Sequence, residues 1–170
     1  MRALVLVAVA ACTHAAAMSC PDRVPPAIAA GDDQRVAFVL HARGTQDYAC
    51  VAGAWSLVAP AAELADDDGA IVGRHGAGPS WELTDGSKIV GAKLASAAGP
   101  DGDGAVPWLL VGVSSHTGTG RLTDVTRIQR MRTSGGVAPA GPCSDGATID
   151  VPYTADYYFY VQGDGLRCGI

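Results

Sequence analysis

Thirteen residues, His75 to Ser87 (HGAGPSWELTDGS), bring an imidazole, two carboxylates, a tryptophan and a Gly-Pro turn into one stretch. Histidine changes charge near neutral pH, and a carboxylate beside it can orient it as a general base. His75 with Glu82 or Asp85 is therefore the pair that would activate water in a hydrolase working without a cofactor, with Trp81 as a stacking wall. A strand over 80–84 opposes this reading. It places Trp81 and Leu83 on one face and Ser80, Glu82 and Thr84 on the other, so Glu82 points away from the tryptophan. An architectural account covers the same residues: Gly78-Pro79 turns the chain, Trp81 fills a core, and Asp85-Gly86 makes a hairpin into SKIVGAK.

A second constellation sits near the C-terminus. VTRIQRMRT (125–133) alternates Val125, Arg127, Gln129 and Met131 against Thr126, Ile128, Arg130 and Arg132, and neither face is cleanly apolar. Charge on an internal strand must be paired or must line a wet cavity. Glu82 and Asp156 are available acceptors for a structural ion pair. Alternatively Arg127, Gln129 and Arg130, with Asp156 and walls from Tyr157, Tyr158 or Trp81, form a pocket for a small anion, a sugar or a peptide end. YTADYYFY (153–160) is aromatic on both faces, as in a strand packed on two sides or one bordering a cavity.

Other chemistries lack their residues. No serine lies in a Gly-x-Ser-x-Gly elbow, and no paired-cysteine or His-Glu-x-x-His motif offers a metal site. The Asp-Gly runs at 66–69 and 101–104 lack the terminal glutamate of an EF-hand and read as turns. GTG (118–120) is followed by Thr123 where a dinucleotide fingerprint needs glycine. No metal and no cofactor is expected. Without the first 17 residues the chain carries 17 acidic and 11 basic residues, a net charge of −6, which argues against tracking a phosphate backbone. Nucleic acid is not an expected partner.

The elements that must position these residues are short. Apolar or alternating runs at 35–42, 46–51, 54–59, 69–74, 80–84, 88–96, 107–114, 125–133 and 152–161 are separated by Gly, Pro and Asp. This punctuation predicts one all-β domain, an antiparallel β-sandwich or barrel. One short turn of helix is expected near PAAELA (60–65). Residues 18–34, rich in Pro and Ala, read as an extended lead-in to a β domain over 35–170.

The first 17 residues place Arg2 before the apolar run from Ala3 to Cys12 and then Ala15-Ala16-Ala17, the order of a signal peptide. The run is too short for a permanent membrane span. A second reading makes the N-terminus a lipoprotein signal, with VAAC before Cys12 or AMSC before Cys20 as the modified site. Simple export leaves Cys20, Cys50, Cys143 and Cys168, which read as two disulfides with three possible connectivities.

Several separated motifs occur in an order that resembles the DUF3455 family, a set of bacterial and fungal proteins of uncharacterised function. They are GTQDYAC…W…AP…L…DG (44–69), VGRHGAGPSWELTDGSKIVGAK (72–93), PWLL (107–110), TRIQRMRTSGG…AP…C (126–143) and VPYTADYYFY (151–160). The resemblance implies a secreted or envelope-associated β-rich domain. It also favours a Cys50–Cys143 bridge, because both positions belong to the family's pattern. Cys20 and Cys168 lie outside it, and their pairing would tie the termini together. The functional expectation is an exported binding module at the cell envelope or outside the cell. Its partner would be a small molecule, a glycan or an envelope component, and a cofactor-independent hydrolase is the alternative.

Overall fold

The computed structural model describes residues 19–21 and 23–169; the expected signal peptide and Cys12 lie outside them. Eight strands follow one another: β1 (Gln34–Val51), β2 (Ala54–Ala65), β3 (Ile71–Gly76), β4 (Ser80–Leu83), β5 (Lys88–Ala97), β6 (Trp108–Thr117), β7 (Arg127–Gly135) and β8 (Thr148–Gln162). Each pairs antiparallel with the next, and β8 pairs with β1 to close a barrel. The fold is thus the barrel rather than the sandwich.

Two expectations are corrected. The runs at 35–42 and 46–51 are one strand, because Gly44 is a point of close approach rather than a turn. A Cβ there would collide with the Ala61 carbonyl oxygen and lie 2.5 Å from the Cα of Ala62. The expected helical turn at 60–65 is the second half of β2. There Ala62 and Leu64 alternate into the core while the strand pairs with β1 on one side and β3 on the other. A period of two with ladders on both sides overrides the helix propensity of alanine.

The period-two alternation also builds two cores. Leu40, Leu64, Trp81, Ile89, Ile128, Tyr157 and Phe159 point into the barrel. Leu122 and Val125, on the β6–β7 connection, are fully buried and plug one end. On the outer face, Val36, Val39, Trp108, Met131, Tyr158 and Tyr160 pack with Ile28 and Cys168 from the terminal segments. Each such fully buried side chain contributes about 1.5–3 kcal/mol. The described residues of the lead-in therefore form a covering layer, with a 3-10 turn at Pro26–Ile28 and a second turn at Asp32–Asp33 that leads into β1. Both faces of β8 are aromatic because one faces the barrel interior and the other lies under this cover.

Both disulfides are formed. Cys20–Cys168 (Cα–Cα 5.3 Å) joins the two terminal segments. Cys50–Cys143 (Cα–Cα 5.9 Å) ties the β1–β2 hairpin to the long β7–β8 loop. No helix among the described residues is long and apolar enough to cross a membrane.

The barrel wall is uneven. The β2–β3 ladder reaches only from Ala62 to Ala65, and β4 meets β5 only over Lys88 to Val90. The short β3–β4 hairpin thus fills the wall in the plugged half alone. Beyond it, β2 over 54–61 and β5 over 92–97 have no ladder partner on the facing side among the described residues. The other half of the barrel is open sideways between these two edges.

Candidate functional site

Behind that opening lies a cavity of about 360 Å³, within the usual size range of small-molecule sites. Its mouth is apolar, formed by Leu57, Val58 and Pro60 of β2 and Pro79 of the β3–β4 turn, with Lys93 of β5 on the rim. Leu109 and Val111 of β6 form one wall. His75, Trp81, Arg130, Tyr157 and Gln46 form the rest. They meet because each sits at an inward position of its own strand.

His75 is 4 % exposed. Its ring stacks on Trp81 (centroids 4.4 Å apart) and meets the Tyr157 ring at an angle (5.0 Å). Its Nδ1 lies 2.8 Å from the Ser80 carbonyl oxygen, which can only accept, so Nδ1 carries the proton and Nε2 is a bare lone pair. Burial lowers the pKa to about 4 against the pull of the Ser80 carbonyl, and the nearby Arg130 charge lowers it further. The imidazole is neutral at pH 7.

Arg130 is buried at 8 % exposure. Its Nε and Nη2 donate to a single acceptor, the Pro107 carbonyl oxygen, at 3.2 and 2.8 Å. Among the described residues its guanidinium has no salt-bridge partner, so the ion pair expected with Glu82 or Asp156 is not formed. Burial raises the pKa of Tyr157, which the adjacent Arg130 opposes. Burial likewise raises that of Tyr153, beside Tyr157 and Gln46. Gln46, Tyr153, Tyr157 and Arg130 lie within reach of one another, but the contacts among them fall outside ordinary hydrogen-bond geometry. Among the described residues, four of the six buried side-chain polar atoms without a partner belong to this cluster: Gln46 Nε2, Trp81 Nε1, Tyr153 OH and Tyr157 OH. Such atoms are few in folded proteins, and each costs about 1–3 kcal/mol.

The structure thus brings together His75, Trp81, Arg130 and Tyr157 from the two sequence constellations. The rest lie elsewhere. Glu82 is on the outer surface, bonded to Arg74 (2.9 Å) and near Lys88 (3.4 Å); the hydrogen bonds from both hold its pKa down. Asp85 accepts from the Arg121 and Ser87 amides and from the Ser87 hydroxyl, so it pins the β4–β5 turn to the β6–β7 loop and its pKa is lowered. Asp85→Ala should cost about 1–2 kcal/mol in chemical denaturation, as loss of turn-fixing hydrogen bonds does, without moving the titration of His75 by NMR.

Gln129 and Tyr158 point outward into the terminal cover, where the Tyr158 hydroxyl donates to the Ser19 carbonyl (2.9 Å). Burial pushes that hydroxyl up to about 12. Arg127 donates to the Thr126 carbonyl at 3.0 Å. Asp156 is held on the outer surface between His41 (2.7 Å) and Arg132 (3.2 Å). Sequence reasoning missed Gln46, Tyr153, Lys93 and Leu109. Gln46 and Tyr153 were visible only as inward partners once the register of β1 and β8 was known.

No curated protein and no solved structure gives a significant match to this chain. One family model, described as a protein of unknown function, DUF3455, matches residues 30–161. That span includes every strand that builds the barrel apart from the last residue of β8. The chain belongs to the DUF3455 family.

Proposed function

We propose that this protein is an exported binding module that takes a small molecule into the open half of its barrel, at the cell envelope or outside the cell. The observation that carries the reading is that Gln46, Trp81 and Tyr157, each with a partnerless buried polar atom, and the buried guanidinium of Arg130 surround one cavity with a lateral opening. A bound molecule would supply the missing partners. Two disulfides and the leader-like first 17 residues support export. The surroundings of His75 favour binding over the hydrolase alternative, since its neighbours are Ser80, Trp81, Tyr157 and Arg130, while Glu82 and Asp85 are engaged outside the cavity.

The Trp81 indole N–H is a reporter built into the site. In a fragment screen by proton–nitrogen NMR, ligands should move this signal and leave those of Trp55 and Trp108 in place, with assignments from Trp→Phe variants. A screen in which binders perturb only residues outside the cavity, or in which nothing binds, would refute the proposal.

A further inference from the structure

Resting on that reading, we infer that the ligand is a carboxylate with an apolar body, its carboxylate on Arg130 and its body lying towards the opening between β2 and β5. The unmet groups of the site are overwhelmingly donors. Trp81 Nε1 and Gln46 Nε2 can only donate, the neighbouring Tyr153 and Tyr157 hydroxyls make no hydrogen bond of ordinary geometry with each other, and burial keeps both phenols protonated. Among them sits a cation with no carboxylate partner among the described residues. A buried charge of this kind is costly unless an opposite charge reaches it, and a planar guanidinium matches the fork of a carboxylate. Lys93 on the rim adds positive charge at the entrance.

The same cavity argues against a simple inorganic anion. Its mouth is formed by Leu57 and Val58, exposed by 55 % and 65 % although both are large and apolar. Leu109 and Val111 continue the apolar surface inward. An oxyanion alone would leave these wet, whereas an apolar body would cover them. The bare Nε2 of His75 leaves one acceptor for a donor on the ligand.

The test uses octanoate, the uncharged octanamide and inorganic sulfate with the disulfide-bonded protein lacking residues 1–17, read by the Trp81 indole signal and by melting temperature. Octanoate should bind at least tenfold more tightly than octanamide or sulfate. Arg130→Met should weaken octanoate at least tenfold and octanamide far less, and its ligand-free form should melt close to the parent, because removal of a buried charge offsets the lost hydrogen bonds to the Pro107 carbonyl. If Arg130→Met does not fold, Tyr157→Phe keeps the ring, removes one donor, and should weaken octanoate severalfold.

Equal binding of octanoate and octanamide overturns the carboxylate, as does octanoate binding unaffected by either variant. Sulfate binding as tight as octanoate overturns the apolar body. In each of these cases the cavity still binds and the proposed function stands. Absence of any response at Trp81, from these probes and the fragment screen alike, refutes the binding function itself.

Discussion

Gln129→Leu should destabilise the protein by about 3–5 kcal/mol in denaturant unfolding, although it replaces a polar residue in a hydrophobic layer with an apolar one of similar size. Gln129 is fully buried on the outward face of β7. Its Nε2 donates to the carbonyl oxygens of Ile28 and Cys168, and its Oε1 accepts from the Tyr160 hydroxyl. One amide thus joins the N-terminal cover, the C-terminal segment and the barrel wall. Leucine would strand all three partners at once, at about 1–3 kcal/mol for each that water does not reach. The apolar burial gained offsets only part of this.

The loss should also be local in origin. Hydrogen exchange should rise first for the amide of Val36, which bonds the Leu166 carbonyl, and for that of Cys168. The interior positions around Trp81 should stay protected until global unfolding. In a Cys20→Ser, Cys168→Ser background the cover is already loosened, so the same substitution should cost less, a non-additivity diagnostic of a shared element. A cost below about 1 kcal/mol in the disulfide-bonded protein would mean that the cover is not held through Gln129.

That residue shows where the sequence was readable and where it was not. Alternation along 125–133 separates Gln129 from Arg130, and the structure puts them on opposite faces of β7. Their fates differ because one outward patch of the barrel is covered by the chain's own termini, and an aperiodic Pro-rich lead-in carries no sign of what it will cover. The hairpin at Asp85-Gly86, the inward Trp81 and Leu83, and the all-β class were legible because each rests on local turn chemistry or on a period of two. Gly44 was misread because a glycine required for close approach of two backbones looks the same in sequence as one required for a turn. The cavity was half legible. His75, Trp81, Arg130 and Tyr157 stood out by type. Their union depends on β3 and β4 ending early, and that follows from strand lengths around a closed barrel rather than from any one motif.

Acid should weaken the protein between about pH 6.5 and pH 4, by about 3 kcal/mol, through His75. Burial holds its pKa at about 4 in the fold against 6.5 for the free side chain. Within that window the unfolded chain binds a proton that the folded chain refuses, so stability is complete above 6.5 and falls as pH drops towards 4. His41 acts with the opposite sign. Partial burial pulls its pKa down, but hydrogen bonds and charge from Asp156 and Asp67 outweigh this and raise it. Its contribution is present below 6.5 and lost as pH rises through the raised value. Glu82 and Asp85, whose pKa values are lowered, begin to lose theirs only as pH falls below their ordinary values of 4.5 and 3.8.

Urea unfolding at pH 7 and pH 5 should therefore show a loss that grows in His41→Gln, where the opposing contribution is gone, and disappears or turns into a small gain in His75→Phe, which keeps the ring wall and leaves His41 to act alone. A loss unchanged in His75→Phe would place the proton elsewhere. The same titration bears on the ligand. Arg130 is one cause of the depressed pKa, because a protonated His75 would be a second buried cation beside it. A carboxylate seated on the guanidinium cancels that repulsion. Octanoate should therefore raise the pKa of His75 in NMR titration and narrow the pH 7 to pH 5 difference, whereas octanamide, which fills the same space without charge, should leave the pKa at or below its unliganded value.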